Sequence, residues 1–293
     1  MASVASPILD HIVVLVTHDI LLNLPSWLDE AFTVLNGGRH ADGVTENKLI
    51  LFQDGVYIEL IAFVPGKDDE RKSHRWGQRR QGHIIDWANT LHDEDDLAAI
   101  RSRVASADTG LKYDEPQSGG RVRPDGKELK WVTSAPTISD DSSKLNEFVG
   151  GEAPFWCLDR TPRDLRVPYQ VEGNVQHPCG ALGVAGVTVA IRDAQLFQKL
   201  KSFYDALRGE EGKELQQRPH GSVNAYVWKL GVPEAPNGQN GKRTLTLAQI
   251  DPEMTEKKHL DVYVELDLVG SSEGSVSGHL GDKQWPLKFN LKG

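Results

Sequence analysis

The 293-residue sequence has few cysteines, no long apolar run and no excess of basic charge, and each absence excludes a class of protein. Only Cys157 and Cys179 occur, too few for a disulfide framework and at a spacing that fits neither a redox pair nor a zinc ribbon. We interpret both as reduced thiols. The longest apolar runs, residues 12–16 and 58–64, fall well short of the roughly 20 residues that cross a bilayer, so we expect no membrane span.

The balance of charge also restricts the partners. The chain has 42 acidic and 33 basic residues, a net charge of -9, whereas binding to nucleic acid requires a basic surface. Residues 1–7 lack the basic start and apolar stretch of a secretory signal, which favours a cytoplasmic location. A hydrophobic content of 39% is ordinary for a globular protein, so we expect a folded chain.

The order of apolar segments indicates a repeated unit. Pro25 suits the first turn of a helix, and Trp27, Leu28, Ala31 and Phe32 follow at helical spacing. An Asp-Gly pair at 54–55 predicts a tight hairpin between two apolar runs. The first unit is therefore predicted as a strand, a helix and further strands, at residues 8–16, 25–34, 48–53 and 56–64.

Two weaker passes of the same pattern follow. The second has strands at 84–91, 112–114, 128–134 and 154–158 and a helix at 95–105; the third has strands at 184–191, 225–230, 244–250 and 262–269 and a helix at 194–207. Polar, turn-rich stretches at 139–144 and 231–241 are predicted loops. We divide the chain near residue 175, into a two-module domain at 1–175 and a region at 176–293 that covers the site or forms a homodimer surface.

Five blocks of sequence stand in a recognisable order over roughly residues 7–175. They are 9–11 (LDH), 37–47 (GGRH followed by Gly43, Thr45 and Asn47), 55–60 (GVYIEL), 121–131 (RVRPDGKELKW) and 154–162. Their residues and their order resemble the glyoxalase-like domain family of the vicinal oxygen chelate superfamily. The resemblance implies an α+β fold of repeated βαβββ modules, whose curved mixed sheets enclose a cup that holds a divalent metal.

The resemblance also implies which side chains hold that metal. The first and last strands of a module commonly offer one inward His or Glu, and the matching positions are His11 and Glu59. A carboxylate between Ile58 and Leu60 would be costly to bury unpaired. Alternation along the strands places Glu59 with Tyr57 and Ile61, and His11 with Leu9 and Val13. Imidazole with carboxylate suits zinc, iron, manganese or nickel; the alternative is a structural His–Glu hydrogen bond.

Further side chains are candidates for the same site. His40, in a glycine-rich stretch, is expected as third ligand or as general base. Asn47, Arg121, Trp131 and Trp156 are expected to bind substrate, and an arginine beside an aromatic ring suits a carboxylate or enolate. In the second module no ligand aligns cleanly. Its candidates are His83, Asp86, Cys157 and Asp159.

Three functions fit this pattern. The leading hypothesis is a metal-dependent lyase or isomerase acting on a small carbonyl-containing or enolisable substrate, with His40 and Glu59 as catalytic residues. The second is a non-haem iron dioxygenase that cleaves aromatic rings, because two histidines and a carboxylate are its usual ligands. The third is a metal-free protein that sequesters a small molecule, in which Trp131 and Trp156 would carry the binding.

Overall fold

A computed structural model describes residues 6–123, 125–138, 150–219, 221–234, 243–254, 261–281 and 285–293. The first half of the chain builds one eight-stranded mixed sheet from two similar modules. Its strands are β1 (Ile8–Leu15), β2 (Leu35–Arg39), β3 (Thr45–Leu51), β4 (Tyr57–Phe63), β5 (His83–Thr90), β7 (Gln117–Val122), β8 (Glu128–Ser134) and β10 (Phe155–Asp159), while β6 (Leu111–Tyr113) and β9 (Pro136–Ile138) form a separate pair.

The strand order β2-β3-β4-β1-β5-β10-β8-β7 shows that the two modules repeat one topology. In each module the first strand pairs parallel with the last strand, β1 with β4 and β5 with β10, and the remaining strands follow antiparallel. The modules join through the antiparallel pair of β1 and β5 at the centre. The predicted α+β fold of repeated βαβββ modules is therefore confirmed.

The second half builds a seven-stranded sheet in the order β12-β13-β14-β11-β15-β17-β16. Its strands are β11 (Ala181–Ile191), β12 (Lys213–Glu214), β13 (Ser222–Lys229), β14 (Thr244–Ile250), β15 (Val262–Gly270), β16 (Gly274–Gly278) and β17 (Leu287–Lys292). The parallel pairs β11·β14 and β15·β17 repeat the topology of the first sheet. The C-terminal half thus holds a third module and part of a fourth.

The two sheets share one apolar core, which lies on the helix side of each. The helices are α1 (His18–Leu22), α2 (Ser26–Asp29), α3 (Asp68–Ser73), α4 (Asp96–Ala105), α5 (Arg163–Arg166) and α6 (Ala194–Arg208). Leu97, Ile100 and Val104 of α4 are buried in the same cluster as Phe203 of α6, and Arg103 donates a 3.0 Å hydrogen bond to the carbonyl oxygen of Leu207. The opposite face of the first sheet is left free to form a cavity.

The predicted helix at residues 25–34 is wrong in extent. Helix α2 ends at Asp29, and Thr33 donates its backbone N–H to His177 Nδ1 at 3.1 Å instead of to a carbonyl one turn back. Leu28 and Phe32 are nevertheless buried, so their spacing reflects burial rather than a continuous helix. Strand β2, which passes through Gly37 and Gly38, was not predicted. The predicted loop at 139–144 lies outside the described residues, as does most of the one at 231–241.

Candidate functional site

A cavity of about 720 Å³ opens on the concave face of the first sheet, and all of its wall residues lie between positions 11 and 166. The sheet curls until its two edge strands approach each other, and Ala41 donates its backbone N–H to the carbonyl oxygen of Gly120 at 2.9 Å. Ala41 follows β2 and Gly120 belongs to β7, so this bond joins opposite edges of the sheet. The cup is thereby closed at one point, which brings side chains from both modules together.

His11 and Glu59 face each other inside the cavity, at the inward positions that the family resemblance implies. His11 is 3% exposed and Glu59 is 5% exposed. His11 Nε2 lies 3.7 Å from Glu59 Oε2, and no Lys or Arg of the described residues reaches this carboxylate within ion-pair distance. A buried carboxylate without a cationic partner is costly, so His11 and Glu59 are candidates to bind a cation.

His40 approaches the same carboxylate from the other oxygen. It follows β2 directly, and its Nε2 lies 3.7 Å from Glu59 Oε1 while its Nδ1 lies 2.7 Å from Thr45 Oγ1. Asn47 Nδ2, which can only donate, lies 3.5 Å from His40 Nε2. His40 therefore carries its proton on Nδ1, and its Nε2 is an acceptor that has a long contact with Asn47. Burial lowers its pKa, although Glu59 opposes the shift, so the ring is neutral near pH 7.

Asn47 positions Glu59 rather than standing apart as a separate substrate ligand. Its Nδ2 donates to Glu59 Oε1 at 2.5 Å, and its Oδ1 has no hydrogen-bond partner. Gly37 makes room for this arrangement, because a methyl group there would lie 1.9 Å from Asn47 Oδ1 and 3.0 Å from Arg121 Nη1. The first glycine of the Gly37-Gly38 pair is thus required by the site, which explains why a strand passes through two glycines.

Asp10 fixes the orientation of His11. Its Oδ1 lies 2.5 Å from His11 Nδ1, so that nitrogen donates and Nε2 is left to face Glu59. Adjacent strand residues normally point to opposite faces; here a register irregularity between Leu9 and His11 lets the two side chains meet. It also turns Leu9 into the core on the helix side, which corrects the expectation that Leu9 shares a face with His11.

Two arginines hold Asp10 in its ionised form. Arg163 Nη1 donates to Asp10 Oδ2 at 2.5 Å, and Arg166 donates to both oxygens at 3.1 and 3.0 Å. Burial alone would raise the pKa of Asp10, but the two guanidinium groups hold it well below its usual range. Arg166 also donates to the hydroxyl of Tyr57 at 2.7 Å, which ties this network to the cavity wall.

Asp10, His11 and Cys157 form a triad of possible metal ligands, whose ligand atoms lie within 4.8 Å of one another. The oxygens of Asp10 are already engaged by two arginines, however, and a dication there would meet both positive charges. Burial raises the pKa of the Cys157 thiol strongly, which keeps it protonated. The unengaged donor atoms at this point are His11 Nε2 and Glu59 Oε2, since Glu59 Oε1 accepts from Asn47.

The register of the sheet shows which residues replace this pair in the second module. His11 lies opposite Tyr57 in the β1·β4 ladder, and Ala88 lies opposite Phe155 in the β5·β10 ladder. Ala88 therefore occupies the position of His11. Two residues further along the last strand, Cys157 occupies the position of Glu59. Half of a symmetric ligand set is thus absent, and the other second-module candidates are engaged elsewhere.

Those other candidates bind neighbouring protein groups. Asp86 accepts hydrogen bonds from Arg75 at 2.5 Å and from the Trp76 indole at 2.8 Å, and it is not part of the cavity wall. Asp159 accepts from Arg166 Nε at 2.5 Å. His83 pairs with Leu15 at the far end of β1 from His11. Of the four second-module candidates, only Cys157 lines the cavity.

Arg121 and Trp131 both line the cavity, on the neighbouring strands β7 and β8. Arg121 is opposite Leu129 and Trp131 is opposite Gly119, so the two side chains are diagonal neighbours on the inner face. A methyl group at Gly119 would lie 2.5 Å from the indole nitrogen of Trp131, so glycine permits the ring to lie against β7. The ring also meets His40 edge-on, with 5.8 Å between ring centroids.

The structure does not bring Trp156 to the cavity, which corrects the expectation that it binds substrate. Trp156 is 0% exposed and packs against Tyr113 in the core on the helix side of the sheet. Its neighbours Phe155 and Cys157 line the cavity instead, because side chains alternate along β10. A single residue in the register of β10 decides this outcome.

Sequence reasoning missed the groups that surround the expected site. Alternation along β1 places Asp10 on the opposite face from its neighbour His11. Only the register irregularity between Leu9 and His11 brings the two side chains together, and the sequence gives no sign of it. Arg163 and Arg166 lie on the short helix α5, about 150 residues from Asp10, and no local pattern links them to it. The one available signal is the group of three arginines at positions 160, 163 and 166, at the end of the last family-like block and just after it.

Comparisons with known proteins agree with this architecture. Two paired βαβββ modules curled around a cavity define the vicinal oxygen chelate fold. The chain belongs to the glyoxalase-like domain family, whose model matches residues 9–206. A hypothetical protein from Staphylococcus aureus is similar over 98% of this chain and 99% of its own, with 14% identity and a TM-score of 0.64. That likeness supports the fold alone.

Two dioxygenase structures are also similar over nearly the whole chain. A 2,3-dioxygenase from Pseudomonas sp. KL28 has 8% identity and a TM-score of 0.48, covering 99% of this chain and 94% of its own. The 2,2',3-trihydroxybiphenyl 1,2-dioxygenase of Sphingomonas wittichii has 10% identity and a TM-score of 0.45, covering 99% and 91%. No curated protein matches the sequence. Among the described residues, no helix has the length and apolar character needed to cross a membrane.

Proposed function

We propose that this protein is a metal-dependent enzyme that moves a proton next to a carbonyl group of a small substrate, as a lyase or isomerase. The observation that carries the proposal is the Glu59 carboxylate. It is buried between two imidazole nitrogens, each 3.7 Å from one of its oxygens. No Lys or Arg of the described residues lies within ion-pair distance of it. A divalent cation would balance that charge, and histidine with carboxylate suits zinc, iron, manganese or nickel.

The donor atoms fit such an ion. His11 Nε2 and Glu59 would hold it, because a separation of 3.7 Å allows both atoms to bind one ion at ordinary bond lengths near 2 Å. Asp10 would support His11 from the other ring nitrogen, an arrangement that fixes the tautomer of metal-binding histidines. When bound, the cation would polarise a substrate oxygen as a Lewis acid.

The protein groups around the ion would do the rest. His40 is neutral, and its Nε2 has a 3.5 Å contact with Asn47 that a substrate would replace, so it would accept the substrate proton, or act as a third ligand. Asn47 would keep Glu59 in place through its 2.5 Å hydrogen bond. Arg121 and Trp131 would orient the substrate from the opposite wall.

The test is metal binding by Glu59→Gln, with Glu128→Gln as the matched control. Glu128 also belongs to the cavity wall, but its side chain is 63% exposed and pairs with Lys130 at 3.1 Å. Elemental analysis and titration calorimetry with Zn²⁺, Mn²⁺ and Ni²⁺ should give one ion per wild-type chain. Glu59→Gln should bind at least about 100-fold more weakly, beyond the loss typical of supporting residues, and Glu128→Gln should match wild type. Wild type free of metal after loading would refute the proposal.

Two other functions each predict a different result for this protein. A metal-free binding protein is favoured by Ala88 and Cys157, which stand where a second His and Glu would complete the ligand set. It predicts the same binding of a small molecule with and without a chelator. A ring-cleaving dioxygenase is favoured by the presence of two histidines and one carboxylate. It predicts oxygen consumption with catechols by the iron-loaded protein alone.

A further inference from the structure

The cavity wall is richer in basic side chains than the protein as a whole. The chain carries a net charge of -9, yet the wall holds five basic and three acidic side chains. The basic ones are Arg75, Arg121, Lys130, Arg160 and Arg166, and the acidic ones are Asp42, Glu59 and Glu128. A basic group attracts an anionic ligand only where no carboxylate already neutralises it, so the partners of these five groups decide which of them can bind one.

Four of the five basic groups are already engaged with carboxylates. Arg166 binds Asp10 and Asp159, and Arg75 binds Asp86. The two other pairs, Lys130 with Glu128 and Arg160 with Glu94, lie at the partly exposed rim of the cavity. Groups that are neutralised in this way contribute little to the recognition of a ligand.

Arg121 differs from these four because it is buried and has no partner. It is 5% exposed, no ion pair or hydrogen bond joins its guanidinium to another described residue, and its Nη1 is a buried donor without an acceptor. A buried guanidinium stays charged; the Glu59 carboxylate attracts it from beyond ion-pair distance, but a buried donor without a direct acceptor is costly. A fold retains such a group where a ligand supplies the missing charge.

We infer that Arg121 is the binding site for the carboxylate of a planar monocarboxylate substrate, whose flat part lies against Trp131. Trp131 is the diagonal neighbour of Arg121 on the inner face, within reach of a molecule a few atoms long. One guanidinium offers two parallel N–H donors, the geometry that a carboxylate accepts. A single positive charge with Glu59 close by suits a monoanion better than a phosphate dianion.

This inference relies on the proposed function only for the identity of the cavity as the substrate site. We would therefore measure binding with chelator-treated protein as well as metal-loaded protein, by calorimetry. The probes are benzoate, its neutral isostere benzamide and the dianion phenylphosphonate. Wild type should prefer benzoate to benzamide by about tenfold or more in both forms, since an arginine–carboxylate contact is a charged hydrogen bond. If the metal-loaded samples prove to contain no metal, the proposed function is refuted, whereas the preference for benzoate is unaffected.

The variants are Arg121→Gln and Arg121→Lys, with Arg160→Gln as control. Arg160 also lines the cavity but is partly exposed and paired with Glu94. Arg121→Gln should lose the preference for benzoate and leave benzamide binding unchanged, Arg121→Lys should keep part of it, and Arg160→Gln should bind as wild type does. Without ligand, Arg121→Gln should also have the same melting temperature as wild type or a higher one, because it removes an unpaired buried charge. If the arginine had a structural role instead, the variant would melt at a lower temperature.

Three results would overturn the inference. The first is equal binding of benzoate and benzamide by wild type, which needs no variant and so does not depend on whether one folds. The second is an unchanged preference for benzoate in Arg121→Gln. The third is tighter binding of phenylphosphonate than of benzoate, which would assign the site to a dianion.

Discussion

Replacing Asp10 with asparagine should destabilise the protein and weaken its metal site together. Asp10 is 0% exposed and accepts one hydrogen bond from His11, one from Arg163 and two from Arg166. Removing one partner of a buried ion pair costs about 3–5 kcal/mol, because the other charge stays buried. Asp159 still accepts from Arg166 at 2.5 and 2.8 Å, so we expect the low end, about 3 kcal/mol.

Urea unfolding at pH 7 measures this loss, as a lower midpoint at an unchanged slope. Asp69→Asn is the control, since its pair with Lys72 is largely exposed and its midpoint should not move. Asp10 also supports His11, so the affinity for a divalent cation should fall by about 10- to 100-fold. A loss below about 1 kcal/mol would refute the argument that the two arginines depend on Asp10.

The pH dependence provides a second check on the same variant. The arginines hold the pKa of Asp10 well below its unfolded value of 3.8, so its contribution is complete above that value and is lost as the pH falls through the folded pKa. Wild type should therefore lose stability in acid faster than Asp10→Asn. The gap between the two should narrow below pH 3.8, and a gap that stays constant there would contradict the assigned charge state.

Three further predictions follow from single contacts. Burial raises the pKa of Asp54 to about 6, so its charge opposes folding above pH 6 and the cost disappears as the pH falls toward 3.8. In urea unfolding, the stability of Asp54→Asn relative to wild type should therefore fall by about 2 kcal/mol between pH 7 and pH 4, and a constant difference would contradict this. Gly37→Ala places a methyl group 1.9 Å from Asn47 Oδ1, so calorimetry should show metal affinity reduced about tenfold or more while the protein stays folded, and unchanged affinity would mean that the strand can move aside. Trp156→Ala should lower the unfolding free energy by about 3–5 kcal/mol and leave ligand affinity unchanged. Trp131→Ala should weaken ligand binding and change the unfolding free energy little, and the same effect from both variants would contradict their placement on opposite faces.

Local pattern was sufficient for some of the strands and for the longer helices. The predicted strands at 128–134 and 244–250 have the observed bounds, and the helices at 95–105 and 194–207 differ from α4 and α6 by one residue at one end. These segments alternate or repeat their apolar residues because one face of each is buried, and a short stretch of chain shows that pattern. The predictions omit β2, β7, β12, β16 and β17, and the predicted strand at 112–114 belongs to the separate β6·β9 pair. Alternation also places Glu59 on one face with Tyr57 and Ile61, since β4 has no irregularity, whereas the inward direction of that face is implied by the family resemblance.

Contacts between distant segments decided the remainder. Strand β2 contains Gly37 because the side chains of Asn47 and Arg121 occupy the space that a Cβ atom would need there. The helix after Pro25 ends early because His177 accepts the backbone N–H of Thr33. No spacing in the sequence encodes either contact.

What the sequence by itself determined is the order of the modules and the residues that share a face with Glu59, because side-chain alternation is a local property of a regular strand. What only the tertiary structure decided is the environment of His11 and Glu59: Asp10 turned toward His11 by a register irregularity, two arginines arriving from about 150 residues away, and Arg121 buried without a partner. Register and long-range pairing depend on the summed packing of a whole sheet, so a single residue of slip would exchange the inner and outer faces of a strand.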